Sequence, residues 1–150
     1  MTNLPNEEVR QNVATLRLDL GARAAGYWWL AGDWLEQVSF AASPALDADV
    51  AHRFAEATRS VPTSETDLGI VRAALTNSPT ISRADELPDH AGSGYWLRAF
   101  DATRSVAVPL HDHKGKVRAV VALALADTDL DDDAMLERVL IAVHKWTPLA

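Results

Sequence analysis

Apolar residues recur at spacings of three and four at Val9, Val13, Leu16 and Leu20, the period of a helix with one buried stripe. Asn6, Glu7 and Glu8 supply a side-chain cap and an acidic first turn, and Gly21 supplies a stop. The period then shortens. Ala24 to Leu30, carrying Tyr27, Trp28 and Trp29, is a wide apolar run that predicts a strand buried on both faces. Ala31-Gly32-Asp33 has turn chemistry, and Trp34 to Ala42 reads as the returning, half-apolar strand of a hairpin. Along the first strand Tyr27 and Trp29 share one face, while Trp28 and Leu30 take the other.

Helical spacing returns after Ser43-Pro44 with Leu46, Val50, Phe54 and Ala57, and Val61-Pro62-Thr63 breaks it. A second helix is predicted over residues 64–75, because Ser64 and Asp67 have capping-box spacing and Ile70, Val71, Ala74 and Leu75 continue the stripe. Asn77-Ser78-Pro79 stops it, and Thr80-Ile81 predicts a short strand. Residues 82–94 hold Asp85, Pro88, Asp89, Gly92 and Gly94 and read as a surface loop or short helix. Two further strands, 105–110 and 116–125, flank a turn at Lys114-Gly115. In the latter, Val117, Val121, Leu123 and Leu125 share parity opposite Val120, Ala122, Ala124 and Ala126, so it should be central and covered on both sides. Acidic residues from Thr128 to Asp133 cap a last helix striped by Met135, Leu136, Val139, Leu140 and Val143. Hairpins separated by helices predict an α+β fold, an antiparallel sheet with helices on its faces, in a single domain over residues 1–150.

Composition narrows the function. The 150 residues hold no cysteine, which excludes disulfides, thiolate metal sites and thiol chemistry. Fourteen basic against 21 acidic residues give a net charge of −7, which disfavours a phosphate backbone as partner. The start of the chain has neither the basic nor the apolar region of a signal peptide, and no apolar run reaches the roughly 20 residues that span a bilayer, so a cytoplasmic location is expected. His111-Asp112-His113 has two histidines but lacks a third ligand nearby and lies on a turn, so a solvated turn is expected rather than a metal site. Asp129 to Asp133 lacks the glycine and terminal glutamate of an EF-hand. His52 and His144 fall in helices as ordinary histidines. No nucleophile or paired-carboxylate arrangement is visible, so no catalytic residue is assigned.

The run Asp67-Leu68-Gly69-Ile70-Val71-Arg72-Ala73-Ala74-Leu75-Thr76-Asn77-Ser78-Pro79-Thr80-Ile81 resembles the signature of the GAF domain family, a Leu-Gly helix followed by a small residue, Pro and a short strand. Arg104-Ser105-Val106-Ala107-Val108-Pro109-Leu110 is similar to the family's Ser-x-x-x-Pro-Leu strand, and the hairpin ending Val120-Val121-Ala122-Leu123 fits as well. The resemblance spans nearly the whole chain. It implies a central antiparallel sheet of five to six strands with helices on both faces, and a sensory module that binds a small ligand between sheet and covering helices. Family members that bind bilins, or that reduce free methionine sulfoxide, use cysteines this chain lacks. A nitrate-sensing branch of stand-alone GAF proteins is similar in length, holds its anion in a pocket and signals to a partner histidine kinase. The resemblance also implies a homodimer, with residues 6–20 and 131–146 packed on one face of the sheet and an apolar surplus left exposed on them. With no output segment in the sequence, occupancy would be reported to another protein or to a dimer partner. A structural dimerisation module with a filled pocket is the alternative.

Candidate ligand residues follow from both readings. Trp29 belongs to the aromatic hairpin, whose members line a pocket or fill the core. Leu68, Gly69 and Ile70 lie at a helix start whose free amides form an anion cradle, although Asp67 is placed to cap the same groups. Tyr95 and Trp96 emerge from the glycine-rich 92–94 stretch and read as a lid. Arg98 and Arg104, either of which suits a carboxylate or phosphate, otherwise pair with Asp101. Ser105 opens the strand beside them. The ligand is expected between the sheet and residues 64–75 and 93–105. These residues name no cofactor.

Overall fold

The computed structural model describes residues 6–87, 92–126, 129–146 and 148. Expectations resting on Pro88, Asp89 and Thr128 lie outside the described residues. In chain order the elements are α1 (Asn6–Leu20), β1 (Ala24–Ala31), β2 (Trp34–Ala42), α2 (Ala48–Ala57), β3 (Ser60–Pro62), α3 (Gly69–Thr76), β4 (Thr80–Arg83), α4 (Gly92–Ala99), β5 (Arg104–His111), β6 (Val117–Leu125) and α5 (Asp132–Val143). Single 3-10 turns follow β4 and α5, at Ala84–Glu86 and His144–Trp146. The strands form one antiparallel sheet in the order β3-β2-β1-β6-β5-β4. The α+β class and the six-stranded sheet agree with the expectation.

Alternation along the strands sorts the core onto two faces. Tyr27, Val106, Val108, Leu110, Val121, Leu123 and Leu125 meet the stripes of α1 (Val9, Val13, Leu16) and α5 (Met135, Val139, Val143). Both terminal helices therefore lie on one face, as expected, and Leu18 and Ile141 stay largely exposed on their outer surfaces. The opposite face carries Trp28, Leu35, Ala107 and Val120 beneath α3, and Ala24 and Ala124 beneath α2 and α4.

Four local expectations are corrected. Val61-Pro62 does not merely break a helix: it forms β3, which pairs Val61 with Leu35 at the sheet edge, where proline's missing donor is tolerated. The helix predicted from Ser64 begins instead at Gly69, and its first residue is preceded by Leu68 with no side-chain cap. Tyr95 and Trp96 stand on a regular helix, α4, rather than on a loop. Val117 leaves the face of Val121 because the β5–β6 register shifts at Leu110/His111: Leu110 pairs with Ala119 and His111 with Val117, leaving Arg118 as the extra residue.

Candidate functional site

Six small residues pave one patch of the sheet. Across β5, β6 and β1 the register aligns Ser105, Ala124 and Ala24 in one row and Ala107, Ala122 and Gly26 in the next. Large side chains would ordinarily fill such a central position. Here the covering helices stand off instead, and a cavity of about 60 Å³ remains above the patch. Its walls are Phe40, Phe54, Leu68, Ile70, Trp96, Leu97 and Phe100. Phe54 of α2 is the hub: its ring meets those of Phe40, Trp96 and Phe100 at centroid distances of 5.2, 5.1 and 5.0 Å. The contacts to Trp96 and Phe100 are edge-on, the arrangement aromatic quadrupoles favour.

Trp28 closes one end. Its ring folds back over its own strand, so that a Cβ placed on Gly26 would stand 2.4 Å from its Cη2 and 2.6 Å from its Cζ3. The indole N–H donates to the Thr58 carbonyl at 2.8 Å, fully buried. Gly26 is therefore the only residue type this ring position accepts.

The polar end lies where α3 starts. The Gly69 N–H donates to Ser93 Oγ at 3.0 Å, so a hydroxyl from α4, and not Ser64 or Asp67, satisfies the first amide of α3. The Ser93 N–H in turn donates to the Asp67 carbonyl at 3.1 Å. This close approach requires Gly92 at φ +66°, where a Cβ would sit 2.7 Å from Asp67.

Of the expected ligand residues, the structure brings Leu68, Gly69, Ile70, Trp96 and Ser105 around the cavity. Trp29 stands on the opposite face, packed toward α1 and α5, with the Arg118 guanidinium 5.5 Å over its ring. Strand alternation makes this unavoidable once Trp28 faces the cavity. Tyr95 turns outward: its hydroxyl accepts from Arg53 at 3.1 Å, and its ring backs Trp96 at 4.9 Å. Arg98 donates to the carbonyls of Gly94, Leu87 and Ala84, which staples α4 to the turn after β4. Arg104 lies on the far face, 5% exposed, bound to Asp132 at 2.8 Å and to the Leu130 carbonyl at 2.6 Å. Asp132 also accepts from Arg83 at 3.0 Å, and these guanidinium bonds, Arg104's foremost, hold its carboxyl below the usual range. Neither arginine pairs with Asp101, which faces Arg23 at 3.2 Å.

Sequence reasoning missed Trp28, Phe54, Phe100 and Ser93. Trp28 was signalled by the alternation that set it opposite Trp29. Phe54 reads only as part of a helix stripe and Phe100 carries no signal of its own, because their convergence depends on tertiary packing. At the β5–β6 turn, Asp112 accepts the amides of Lys114 and Lys116, a bond pattern that depresses its carboxyl pKa and makes this a structural turn. Among the described residues no three His, Asp or Glu side chains cluster as metal ligands, and no helix is long and apolar enough to cross a membrane.

No family model and no curated protein matches the sequence. Solved structures do match. The nlh2 GAF domain of A. aeolicus, in an inactive state, superposes with a TM-score of 0.66 at 13% identity, covering 97% of this chain and 82% of that one. The GAF domain of a two-component sensor histidine kinase from Bacillus halodurans gives 0.61 at 15% identity, covering 97% of each chain. The type II free methionine-R-sulfoxide reductase of Thermoplasma acidophilum gives 0.61 at 13% identity over 93% and 92% of the two chains, so the same architecture also serves an enzyme. At these identities the likeness is one of fold, and the fold of this chain is that of GAF domains.

Proposed function

We propose that this chain is a small-molecule-binding sensory domain, non-catalytic and cytoplasmic, that reports occupancy of the cavity above β1, β6 and β5 to a signalling partner. The observation that carries this reading is the paved patch: six small residues in two registered rows, roofed by aromatic rings, are the makings of a concave apolar pocket. A sensor kinase is the partner class favoured by the Bacillus halodurans likeness. A homodimer through α1 and α5 is favoured by the exposed Leu18, Leu140 and Ile141. An anion held by Arg98 or Arg104 finds no support, because both guanidinium groups are engaged away from the cavity.

The scaffold reading draws on the modest volume and on Trp28, which occupies space a ligand would otherwise use. Ala107→Leu separates the two. If the cavity is open space, leucine fills it, the melting temperature holds or rises, and small molecules that co-purify with the native chain are lost in native mass spectrometry. If the space is functionally filled core, overpacking costs about 1–3 kcal/mol in urea denaturation and no co-purified mass is seen in either protein.

A further inference from the structure

Beside the cavity, two buried hydroxyls have spent an acceptor and not their donor. Ser93 Oγ takes the Gly69 amide proton at 3.0 Å, and Ser82 Oγ takes a guanidinium proton of Arg72 at 2.7 Å. Ser82 is 3% exposed and Ser93 9%. Among the described residues neither hydroxyl donates to a protein acceptor. Each hydroxyl carries one proton to give, and a buried donor without an acceptor is unfavourable. Both face one spot. A Cβ built on Gly69 would lie 3.2 Å from Ser82 Oγ, 3.8 Å from Ser93 Oγ and 3.8 Å from Arg72 Nη2. Arg72 otherwise donates to the Thr66 carbonyl at 2.8 Å, and it pairs with no carboxylate among the described residues. Gly69 and Ser93 also line the cavity, so the spot adjoins it.

We propose that this notch beside Gly69 is an oxygen subsite, and that the ligand is a small apolar carboxylic acid. The inference rests on the cavity being a ligand site. One carboxylate oxygen meets two hydroxyl donors and a guanidinium, a set that offers protons, no competing acceptor and one positive charge. The hydrocarbon body lies over the alanine floor. Its size is bounded: about 60 Å³ is less than half of the roughly 150 Å³ cavity that admits the six carbons of benzene, which points to a body of two or three carbons. Glycine at position 69 is then functional, since a methyl there would occupy the oxygen's place.

The test titrates the full chain, followed by amide and indole NMR, with propanoate and with its neutral isostere propanamide. The expected result is saturable binding of the carboxylate at least tenfold tighter than the amide, with shifts at the Gly69 amide and the Trp28 indole. Gly69→Ala and Arg72→Gln, each kept within a few degrees of the native melting temperature, should each lose tenfold or more of the carboxylate affinity. Gly69 does not sit at positive φ, so its backbone accepts alanine, and the new methyl requires Ser82 Oγ to give by a few tenths of an ångström. Equal affinity for the two compounds, or carboxylate binding unchanged in Arg72→Gln, overturns the notch and leaves the sensory reading standing. If neither compound perturbs the native chain or a Trp96→Ala variant with a widened cavity, the notch falls, and the sensory reading falls with it only if native mass spectrometry of the native chain also shows no co-purified small molecule.

Discussion

Replacing Asp132 with alanine is expected to lower the unfolding free energy by about 1.5–3 kcal/mol, the scale of a charge-assisted hydrogen bond, because Asp132 is itself about a third exposed and its pair with Arg104 is only half-buried. Arg104 is 5% exposed, so without the carboxylate its guanidinium retains the Leu130 carbonyl but loses the opposite charge beside it. The same change releases Arg83 and removes an acidic residue from the first turn of α5, which adds to the loss. Urea denaturation at constant m-value measures it, and a cost below 1 kcal/mol would show that Arg104 is satisfied without Asp132. Acid should reproduce part of the effect. Asp132 has a folded-state pKa below its unfolded value, so its contribution is complete above about pH 4 and disappears as pH falls through the folded value. Stability of the native chain should therefore drop on acidification, and the Asp132→Ala variant should show a shallower drop.

Gly26→Ala is expected to cost about 3 kcal/mol although it adds one methyl group, because that methyl must displace a boxed-in indole. Trp28 is 1% exposed, bonded to the Thr58 carbonyl, and edge-on to Phe54 at 6.3 Å, so its ring can yield only toward the cavity and only by giving up these contacts. The phenyl ring of Trp28→Phe lacks the two outer atoms that lie at 2.4 and 2.6 Å from the new carbon. In that background Gly26→Ala should cost much less, and the double-mutant cycle should return a coupling of about 1–3 kcal/mol. Equal costs in both backgrounds would mean that the glycine serves the backbone and not the ring.

Much of this architecture was legible along the chain because it rests on local rules. The stripes of α1 and α5, the aromatic hairpin and the two-faced β6 all express a period of 3.6 or 2, and they formed as read except at Val117, where a bulge reverses the face. The errors arose where a long-range partner outcompeted a local signal. Ser64 and Asp67 have capping spacing, yet Ser93, from a segment 24 residues away, takes the Gly69 amide. Pro62 looks like a breaker until Leu35 and its neighbours offer an edge to pair with. The arginines follow the same rule: a guanidinium near a predicted pocket says nothing about which face its strand residue takes, so Arg104 follows Val106 and Val108 to the far side, while Arg98 on α4 is taken by the carbonyls of Gly94, Ala84 and Leu87. Arg72, three residues past Gly69 on one helix, carried no comparable signal without Ser82 beside it.

The five tryptophans divide between the two sides of the sheet and its rim. Trp28 and Trp96 border the cavity, Trp29 and Trp146 belong to the terminal-helix face, and Trp34, 47% exposed, marks the hairpin end. The molecule is in this sense its own optical instrument. Emission from Trp28 and Trp96 is set by an apolar chamber, that of Trp146 by the packing of the last turn against Tyr27 at 6.4 Å, and that of Trp34 by water. A chain keeping one indole at a time, with phenylalanine elsewhere, would read the chamber, the helical face and the rim as separate colours, and the order in which they change on adding a compound would give the direction in which a disturbance crosses the sheet.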